Sequence, residues 1–318
     1  MIINYFRTAW RNISKHKAYS IINVFGLALG IASCLAIFLV VQYELNYDKF
    51  NSKADQIYRV TLNAIDFNPC VSLAIAGPLR NDFPELEQVS QVWYRGEALI
   101  TIGQNKFEEQ GGAFADQNFS SVFDYNWLEG NYKTALKDPN SIVLTKSLAH
   151  KYFSDKEAIG QTINLENKYN LKVTGVIDDL PGNTHLPFKY LVSFETIRHE
   201  LGGMMTAFYA IPGGSFTYIV TPKNYNIASI QNRIHAFIEK NWGKEIADGA
   251  RLPLQRLTDI HFDSRYLNNT ISYTTSKETY YVLAAVALFI IIIACINFIN
   301  LATAQNKRRL DILAQRHC

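Results

Sequence analysis

Two long stretches without a charged residue constrain this chain more than any other feature. They run from Ala18 to Tyr43 and from Tyr280 to Asn306, and Leu, Ile, Val, Phe and Ala dominate both. About 20 helical residues suffice to cross a hydrocarbon core of about 30 Å. The two stretches therefore predict transmembrane helices over residues 18–43 and 280–305.

The distribution of charge predicts the orientation of these helices. The chain carries a net charge of +3, but both ends are basic and the middle is acidic. Because cytoplasmic flanks of membrane helices are enriched in Lys and Arg, both termini are predicted to lie in the cytoplasm and residues 44–279 outside the cell membrane. The predicted cationic anchors at the membrane surface are Arg7, Arg11, Lys15, Lys17, Lys307, Arg308 and Arg309. This arrangement indicates lipid, and not nucleic acid, as the partner of the positive charge.

Residues 1–17 predict an amphipathic helix that lies in the cytoplasmic membrane surface. Arg7, Arg11 and Lys15 recur at helical spacing, while apolar residues and Trp10 occupy another face, a pattern typical of interfacial helices with an aromatic anchor. A frayed basic extension is the alternative. Ile31–Cys34 also resembles a lipoprotein processing box, but the apolar residues that follow it favour a retained membrane anchor over a cleaved signal.

Small and polar residues within the two stretches predict helix packing. Gly26 and Gly30 are four residues apart, and Ser33 follows one turn later. In lipid, such small residues let two helix backbones approach closely. Asn297 and Asn300 in the second stretch are costly in lipid without hydrogen-bond partners, so a helical bundle is favoured over two separate anchors.

Residues 44–279 predict an extracytoplasmic domain of mixed α+β class. Strands are expected in YRVTLN, VSQVWYR, YNLKVTGVI and KYLVSFET, and helices in VSLAIAGPLRNDF, TKSLAHKYF and over Ile227–Phe237. A further strand is expected through PLQRLTDIHF. Loop-like sequence near residues 130–140 and a second boundary near residue 253 predict that about residues 135–253 are inserted into a first subdomain built from two discontinuous pieces.

The sequence contains no motif for nucleotide, metal or nucleophilic chemistry. No G-x-x-x-x-G-K-[ST] run occurs, and the histidines lack H-E-x-x-H spacing. His261 alternates with Asp259 and Asp263 along the expected strand, where a solvated strand face is favoured over a metal site. Asp178 and Asp179 are interpreted as turn residues. The sequence therefore predicts a protein that is not an enzyme and that holds no cofactor or metal.

Five segments together resemble one protein family. They are FRTAWRNISKHKAYSIINVFGLALGIASCLAIFL, PELEQV, SIVLTKSLAHKYFSDKEAIGQTI, VTGVIDDLPGNTHLPFKYLVSF and INFINLATAQNKRR. In this order and spacing, the chain resembles the FtsX-like/MacB-like permease subunits of ATP-binding-cassette (ABC) systems, in the form common in Bacteroidetes-type bacteria. The resemblance extends over nearly the whole chain.

The resemblance implies a permease subunit of the bacterial inner membrane, with residues 44–279 in the periplasm. Such a subunit binds no nucleotide itself. A separate cytoplasmic ABC ATPase would drive the membrane helices, and the external domain would relay the movement to efflux or to another envelope process. The implied partners are this ATPase, a second permease copy, membrane lipids and a periplasmic adaptor or outer-membrane protein. The implied external module is a porter-like subdomain with an inserted small α/β subdomain.

The chain departs from the family pattern after the second stretch. Family members continue into a cytoplasmic coupling helix and further spans, whereas NKRRLDILAQRHC keeps Arg308 and Arg309 and then ends. The expectation is a truncated, frameshifted or shortened permease. The alternative function is a two-pass membrane sensor with an extracytoplasmic ligand-binding domain, and a third interpretation is a structural membrane anchor.

Overall fold

The computed structural model describes residues 17–154, 156–266 and 271–314, and the chain divides into two compact units. One unit contains the first and last helices of the described chain, α1 (Lys17–Leu45) and α9 (Lys277–Ala314). The other unit is Asn46–Ser276, called the external domain below. The interfacial helix predicted for residues 1–17 lies outside the described residues, except for Lys17.

Helices α1 and α9 each contain a segment that is long and apolar enough to cross a membrane. Val24–Leu45 has a mean hydropathy of 2.7 and Lys277–Asn300 one of 3.0. Only 6% and 0% of the most apolar parts of these segments are buried. A core helix of a soluble protein would bury one face, so the exposed apolar side chains favour a lipid environment for both helices.

The external domain alternates short helices with strands. Its helices are α2 (Ala76–Asp82), α3 (Phe119–Val122), α4 (Lys146–Phe153), α5 (Arg198–Leu201), α6 (Ile227–Gln231), α7 (Ile234–Trp242) and α8 (Lys244–Gly249). Its strands are β1 (Ile57–Val60), β2 (Leu62–Asn63), β3 (Phe67–Asn68), β4 (Gln88–Ile102), β5 (Asn105–Ala115), β6 (Trp127–Gly130), β7 (Ser141–Thr145), β8 (Thr162–Leu165), β9 (Tyr169–Ile177), β10 (Tyr190–Ser193), β11 (Ser215–Val220) and β12 (Leu254–Arg256). Short 3₁₀ helices span Phe194–Thr196, Gly202–Met205, Leu257–Phe262 and Ser264–Tyr266. The predicted α+β class is confirmed.

One sheet organises this domain and closes on itself at one end. Its order is β12-β1-β11-β4-β5-β10-β7-β9-β6, and β8 pairs with both β4 and β9. Strands β4, β5, β10, β7, β9 and β8 therefore form a closed ring, called the barrel below. Apolar side chains such as Ile100, Ile142, Ile163 and Leu171 form its buried core, as the inward positions of a small barrel do.

The open part of the sheet carries apolar cores on both faces. On one face, α2 and α7 pack against β1, β4 and β11 through residues such as Leu79, Phe83 and Phe237. The other face carries Ile57, Phe216 and further aromatic side chains. The helix predicted over Ile227–Phe237 is divided into α6 and α7.

Strand pairing crosses the bounds of the inserted subdomain predicted over about residues 135–253, which stays a prediction. Residues 215–220, within the predicted insertion of about 135–253, form β11, which pairs between β1 and β4 in the open part of the sheet. The barrel instead takes in β4 and β5, which precede residue 135. The loop-like sequence near 130–140 forms a turn inside the domain. The barrel and the open part of the sheet meet along one long strand, β4.

The strand predicted through PLQRLTDIHF ends early. Only Leu254–Arg256 is extended, and Leu257–Phe262 forms a 3₁₀ helix. His261 is 1% exposed and its ring stacks on Tyr47 with a centroid distance of 3.7 Å. The expectation of a solvated strand face at His261 is therefore wrong, because the helical turn directs the imidazole into a buried aromatic contact.

The close approach of β6 to β9 at Gly130 gives a stability prediction. Gly130 has φ of +87°, and a Cβ there would overlap the Thr174 carbonyl oxygen and lie 2.9 Å from Gly175 Cα. A left-handed conformation costs an L-residue about 1–2 kcal/mol, and overpacking adds about 1–3 kcal/mol. Gly130→Ala is expected to lower the free energy of unfolding by about 2–5 kcal/mol, measured by urea unfolding of the full chain in detergent with far-UV circular dichroism.

Gly77→Ala is the matched control for this substitution. Gly77 lies in α2, and no described atom outside its own helix turn and chain neighbours comes within 4 Å of a Cβ at that position. Alanine is a better helix former than glycine by up to about 1 kcal/mol, but a Cβ directly before Pro78 is disfavoured in a helix, so this variant should have a stability close to that of the wild type. Equal stability of the two variants would contradict the structure at Gly130.

Candidate functional site

Helices α1 and α9 pack at the glycine pair of α1. A Cβ placed on Gly30 would lie 3.3 Å from Ala294 Cβ and 3.7 Å from Ile290 Cγ2. A Cβ on Gly26 would lie 3.7 Å from Asn297 Nδ2. One turn further along α1, Cys34 Sγ donates a hydrogen bond to the Ala287 carbonyl oxygen at 3.2 Å. The small residues thus lie where the two backbones approach each other, as close helix packing in lipid requires.

The structure describes only some of the other residues predicted for packing or anchoring. Ser33 is half-buried, and Asn300 is exposed. Lys17 is the first residue of α1, and Lys307, Arg308 and Arg309 belong to the last turns of α9. Arg7, Trp10, Arg11 and Lys15 lie outside the described residues. The anchoring roles of all these charged and aromatic residues, and the packing roles of Ser33 and Asn300, stay predictions.

The external domain contains a row of buried, contacting polar side chains that could not be predicted from the sequence. This buried polar row consists of Asp48, His185, Tyr218, Arg59, Gln255 and Asp263. The first five are at most 7% exposed, and Asp263 is half-buried. Along the chain, Asp48 follows the end of α1 by three residues, and Asp263 belongs to the segment that leads to α9. The row therefore joins the two segments through which the external domain connects to the apolar helices.

Asp48 anchors one end of the row. Its carboxylate accepts hydrogen bonds from Thr184 Oγ1 at 2.8 Å and from the His185 backbone N–H at 3.2 Å. His185 Nδ1 lies 2.9 Å from Asp48 Oδ2, an ion-pair distance without the alignment of a hydrogen bond. The Asp48 backbone N–H donates to the Asn183 carbonyl oxygen at 2.9 Å. These contacts fix the Asn183–His185 segment to the residue that follows α1.

The centre of the row crosses three neighbouring strands. His185 Nε2 lies 2.8 Å from the Tyr218 hydroxyl. Arg59 on β1 stands opposite Tyr218 on β11 and opposite Gln255 on β12, which places the three side chains on one face. Arg59 Nε and Nη2 donate to Gln255 Oε1 at 3.1 and 2.6 Å, and Gln255 Nε2 donates to Asp263 Oδ2 at 3.1 Å.

Burial dominates the electrostatics of this row. It lowers the pKa of Arg59, against the opposing influence of Tyr218, Cys70 and Tyr266. Burial also raises the pKa of the Tyr218 hydroxyl. Among the described residues, no carboxylate forms an ion pair with Arg59. Its guanidinium instead lies 5.5 Å from the centroid of the Phe216 ring, so the charge is stabilised by hydrogen bonds and aromatic faces.

Asp178 and Asp179 serve local structure. The Ser147 backbone N–H donates to Asp179 Oδ1 at 3.1 Å and the Ser147 hydroxyl to Oδ2, which caps the start of α4. The Asp179 backbone N–H donates to Asp178 Oδ1, as in a turn. Within the described ranges, no cluster of three His, Cys, Asp or Glu side chains is arranged to hold a metal ion.

Comparison with solved structures shows the fold. The chain is similar to a domain described as that of a permease protein from Porphyromonas gingivalis, with a TM-score of 0.56 and 15% identity over 74% of this chain and 99% of that one. It is also similar to the periplasmic region of MacB from Actinobacillus actinomycetemcomitans (TM-score 0.45, 13% identity, 65% and 90% covered). A third similar structure is the extracellular domain of the noncanonic ABC-type transporter YknZ from Gram-positive bacteria (TM-score 0.43, 14% identity, 61% and 99% covered).

The sequence itself matches one family model. No curated protein matches the chain, but the model of the MacB-like periplasmic core domain matches residues 20–237. This range contains most of α1, the barrel and the strands that carry Arg59 and Tyr218. Because the match covers more than half of the chain, the chain belongs to the family of the MacB-like periplasmic core domain.

Proposed function

We propose that this chain is the permease subunit of an ABC-type transporter and relays movement from its membrane helices to its external domain. MacB/FtsX-like permeases work in general with a cytoplasmic ABC ATPase, and here that partner would supply the movement. The observation that carries the proposal is the buried polar row, whose two ends belong to the segments that follow α1 and precede α9.

The physical character of the row suits a mechanical connection. Its side chains lie in a poorly hydrated interior, where an unpaired polar group costs about 1–3 kcal/mol. A displacement of Asp48 would break its bonds to Thr184 and His185 unless these residues move with it. Energetic coupling between distant sites is carried by such contiguous hydrogen-bond networks. A movement of α1 would therefore shift the strands that carry Tyr218 and Arg59.

The assembly that follows from this function has several further partners. The proposal includes a second permease copy, inner-membrane lipids and a periplasmic adaptor or outer-membrane protein, with efflux or another envelope process as the output. Both termini would face the cytoplasm. The match to the MacB-like family favours this function over that of a two-pass sensor.

The relay is tested at Asp48 and Tyr218. In a background with Cys34→Ser, Cys295→Ser and Cys318→Ser, spin labels at Lys106→Cys of two copies in a complex with the cognate ABC ATPase would report an ATP-dependent change of distance by pulsed electron resonance. Asp48→Asn removes the charge beside His185, and Tyr218→Phe removes the hydroxyl that contacts Nε2 of the same residue. Both variants are expected to bind the ATPase and to lose most of this distance change.

Lys53→Gln is the control for the relay. The Lys53–Glu87 ion pair lies at the surface of the same domain, where such a pair contributes about 0–1 kcal/mol. This variant should keep the wild-type distance change. An Asp48→Asn or Tyr218→Phe variant that moves like the wild type would show that the row does not transmit movement.

The packing role of Gly30 is tested by cross-linking. A Cβ on Gly30 would lie 3.3 Å from Ala294 Cβ, close to the spacing of about 3.5–4.5 Å in disulfides. In a background with Cys34→Ser and Cys295→Ser, Gly30→Cys with Ala294→Cys should form an intrachain disulfide in oxidised membranes. Leu29→Cys with Ala294→Cys should not, because Leu29 is 71% exposed. The reverse pattern would contradict the observed packing.

The proposed topology is tested with reporter fusions. Green fluorescent protein fused after Cys318 should fluoresce in intact cells, because this reporter matures in the cytoplasm and not after export through the general secretory route. Alkaline phosphatase fused after Gln104, in the β4–β5 turn, should be active, because it requires an oxidising periplasm. A non-fluorescent fusion after Cys318 together with an inactive phosphatase after Gln104 would indicate that the external domain lies in the cytoplasm.

A further inference from the structure

The mouth of the barrel contains a pocket that the relay does not use. It has a volume of about 520 Å³ and is lined by residues from β4, β5, β8, β9 and β10. Leu201 at the end of α5 completes its wall. The mouths of β-barrels are common sites for small ligands, and pockets of about 300–1,000 Å³ hold most of them.

Aromatic rings form much of the pocket wall. Trp93, Phe114, Tyr169 and Tyr190 all line it. Tyr190 crosses directly over Gly112, where any Cβ would overlap its ring. Trp93 is held by a hydrogen bond from its Nε1 to the Gly213 carbonyl oxygen at 3.1 Å. Such rings offer large, rigid apolar surfaces to a ligand.

Polar contacts hold the β8–β9 turn over the pocket. Lys168 forms an ion pair with Glu200, and the Tyr169 hydroxyl donates to the same carboxylate at 2.7 Å. Glu166 Oε1 accepts a hydrogen bond from the Leu99 backbone N–H at 2.6 Å. The charges of Lys168 and Glu200 thus neutralise each other, whereas Glu166 forms no ion pair with a cation in the described part of the chain.

A β-bulge directs Arg95 to this pocket. Tyr94 pairs with Ala113 and Gly96 with Gly112, so Arg95 is an extra residue on β4 without a partner on β5. Bulges often re-aim a side chain at functional sites. Arg95 lies 4.5 Å from the centroid of the Trp93 ring. Neither Arg95 nor the neighbouring Glu97 forms an ion pair with any described residue.

We infer that the barrel mouth binds a short peptide with free termini and apolar or aromatic side chains. Arg95 binds the terminal carboxylate, since a guanidinium forms paired charge-assisted hydrogen bonds with that group. Glu97 and Glu166 provide the negative charge for the terminal ammonium. The rings of Trp93 and Tyr190 contact the apolar side chains. The site thus offers a cation for the terminal carboxylate and acids for the terminal ammonium, none of them in an ion pair with another described residue.

Calorimetric titration of the full chain in detergent with the tripeptide Phe-Ala-Phe tests this inference. The free peptide is expected to bind at least about tenfold more tightly than its N-acetylated, C-amidated form, because each terminal charge contributes a charge-assisted hydrogen bond. Arg95→Gln should weaken binding of the free acid by about tenfold and leave binding of the C-amide unchanged. Glu97→Gln should weaken binding of the peptide with a free amine by about tenfold and leave binding of the N-acetyl form unchanged.

Lys106→Gln and Glu108→Gln are the controls. Both residues are exposed on β5 outside the pocket, and these variants should bind the free peptide like the wild type. Equal binding of free and capped peptides, absence of binding at millimolar concentration, or unchanged binding by Arg95→Gln would each overturn the inference. Glycerophosphoethanolamine carries both charges without apolar side chains. If it bound equally tightly, the inferred ligand would be a lipid headgroup and not a peptide. The titration needs no ATPase, so its failure leaves the relay untouched.

Discussion

The guanidinium of Arg59 imposes the constraint on which the open part of the sheet depends. It is 3% exposed, and the effective cost of burying an ion is several kcal/mol unless the surroundings replace its hydration. The sheet supplies that replacement through the oxygen of Gln255 and the aromatic faces of Phe216 and Tyr266. One buried cation thus determines which side chains β1, β11 and β12 can carry on this face.

The predictions from sequence succeeded where structure is local. The long apolar runs predicted the two helices, and alternating or helical patterns predicted β1, β9 and α4. Gly26 and Gly30 lie beside α9, and their packing role stays a prediction. Each of these features depends on residues a few positions apart, where one helical turn or one strand determines the geometry.

The buried polar row and the barrel were not predictable in the same way. Arg59 meets Gln255 across 196 positions of chain, and Asp48 meets Thr184 across 136. Barrel closure rests on a short pairing of β8 with β4. The periodicity of apolar residues along the sequence does not indicate contacts between such distant positions. The signal that the sequence did contain was Arg59 itself, a charged residue inside the fully buried strand Ile57–Val60, because a buried charge requires partners.

Strand β4 connects the two parts of the domain that the proposed activities use. Near its beginning, Ser90 stands opposite Tyr218 and donates to Asp116 Oδ1 at 2.6 Å. Beyond the bulge at Arg95, Ile100 pairs with Leu165 and closes the barrel. The two ends differ in how firmly they are held. The row depends on buried hydrogen bonds, whereas Lys168 and Glu200 beside the pocket are exposed, and an exposed ion pair contributes only about 0–1 kcal/mol. The β8–β9 turn therefore depends more on the two hydrogen bonds between Glu166 and Leu99 than on this ion pair.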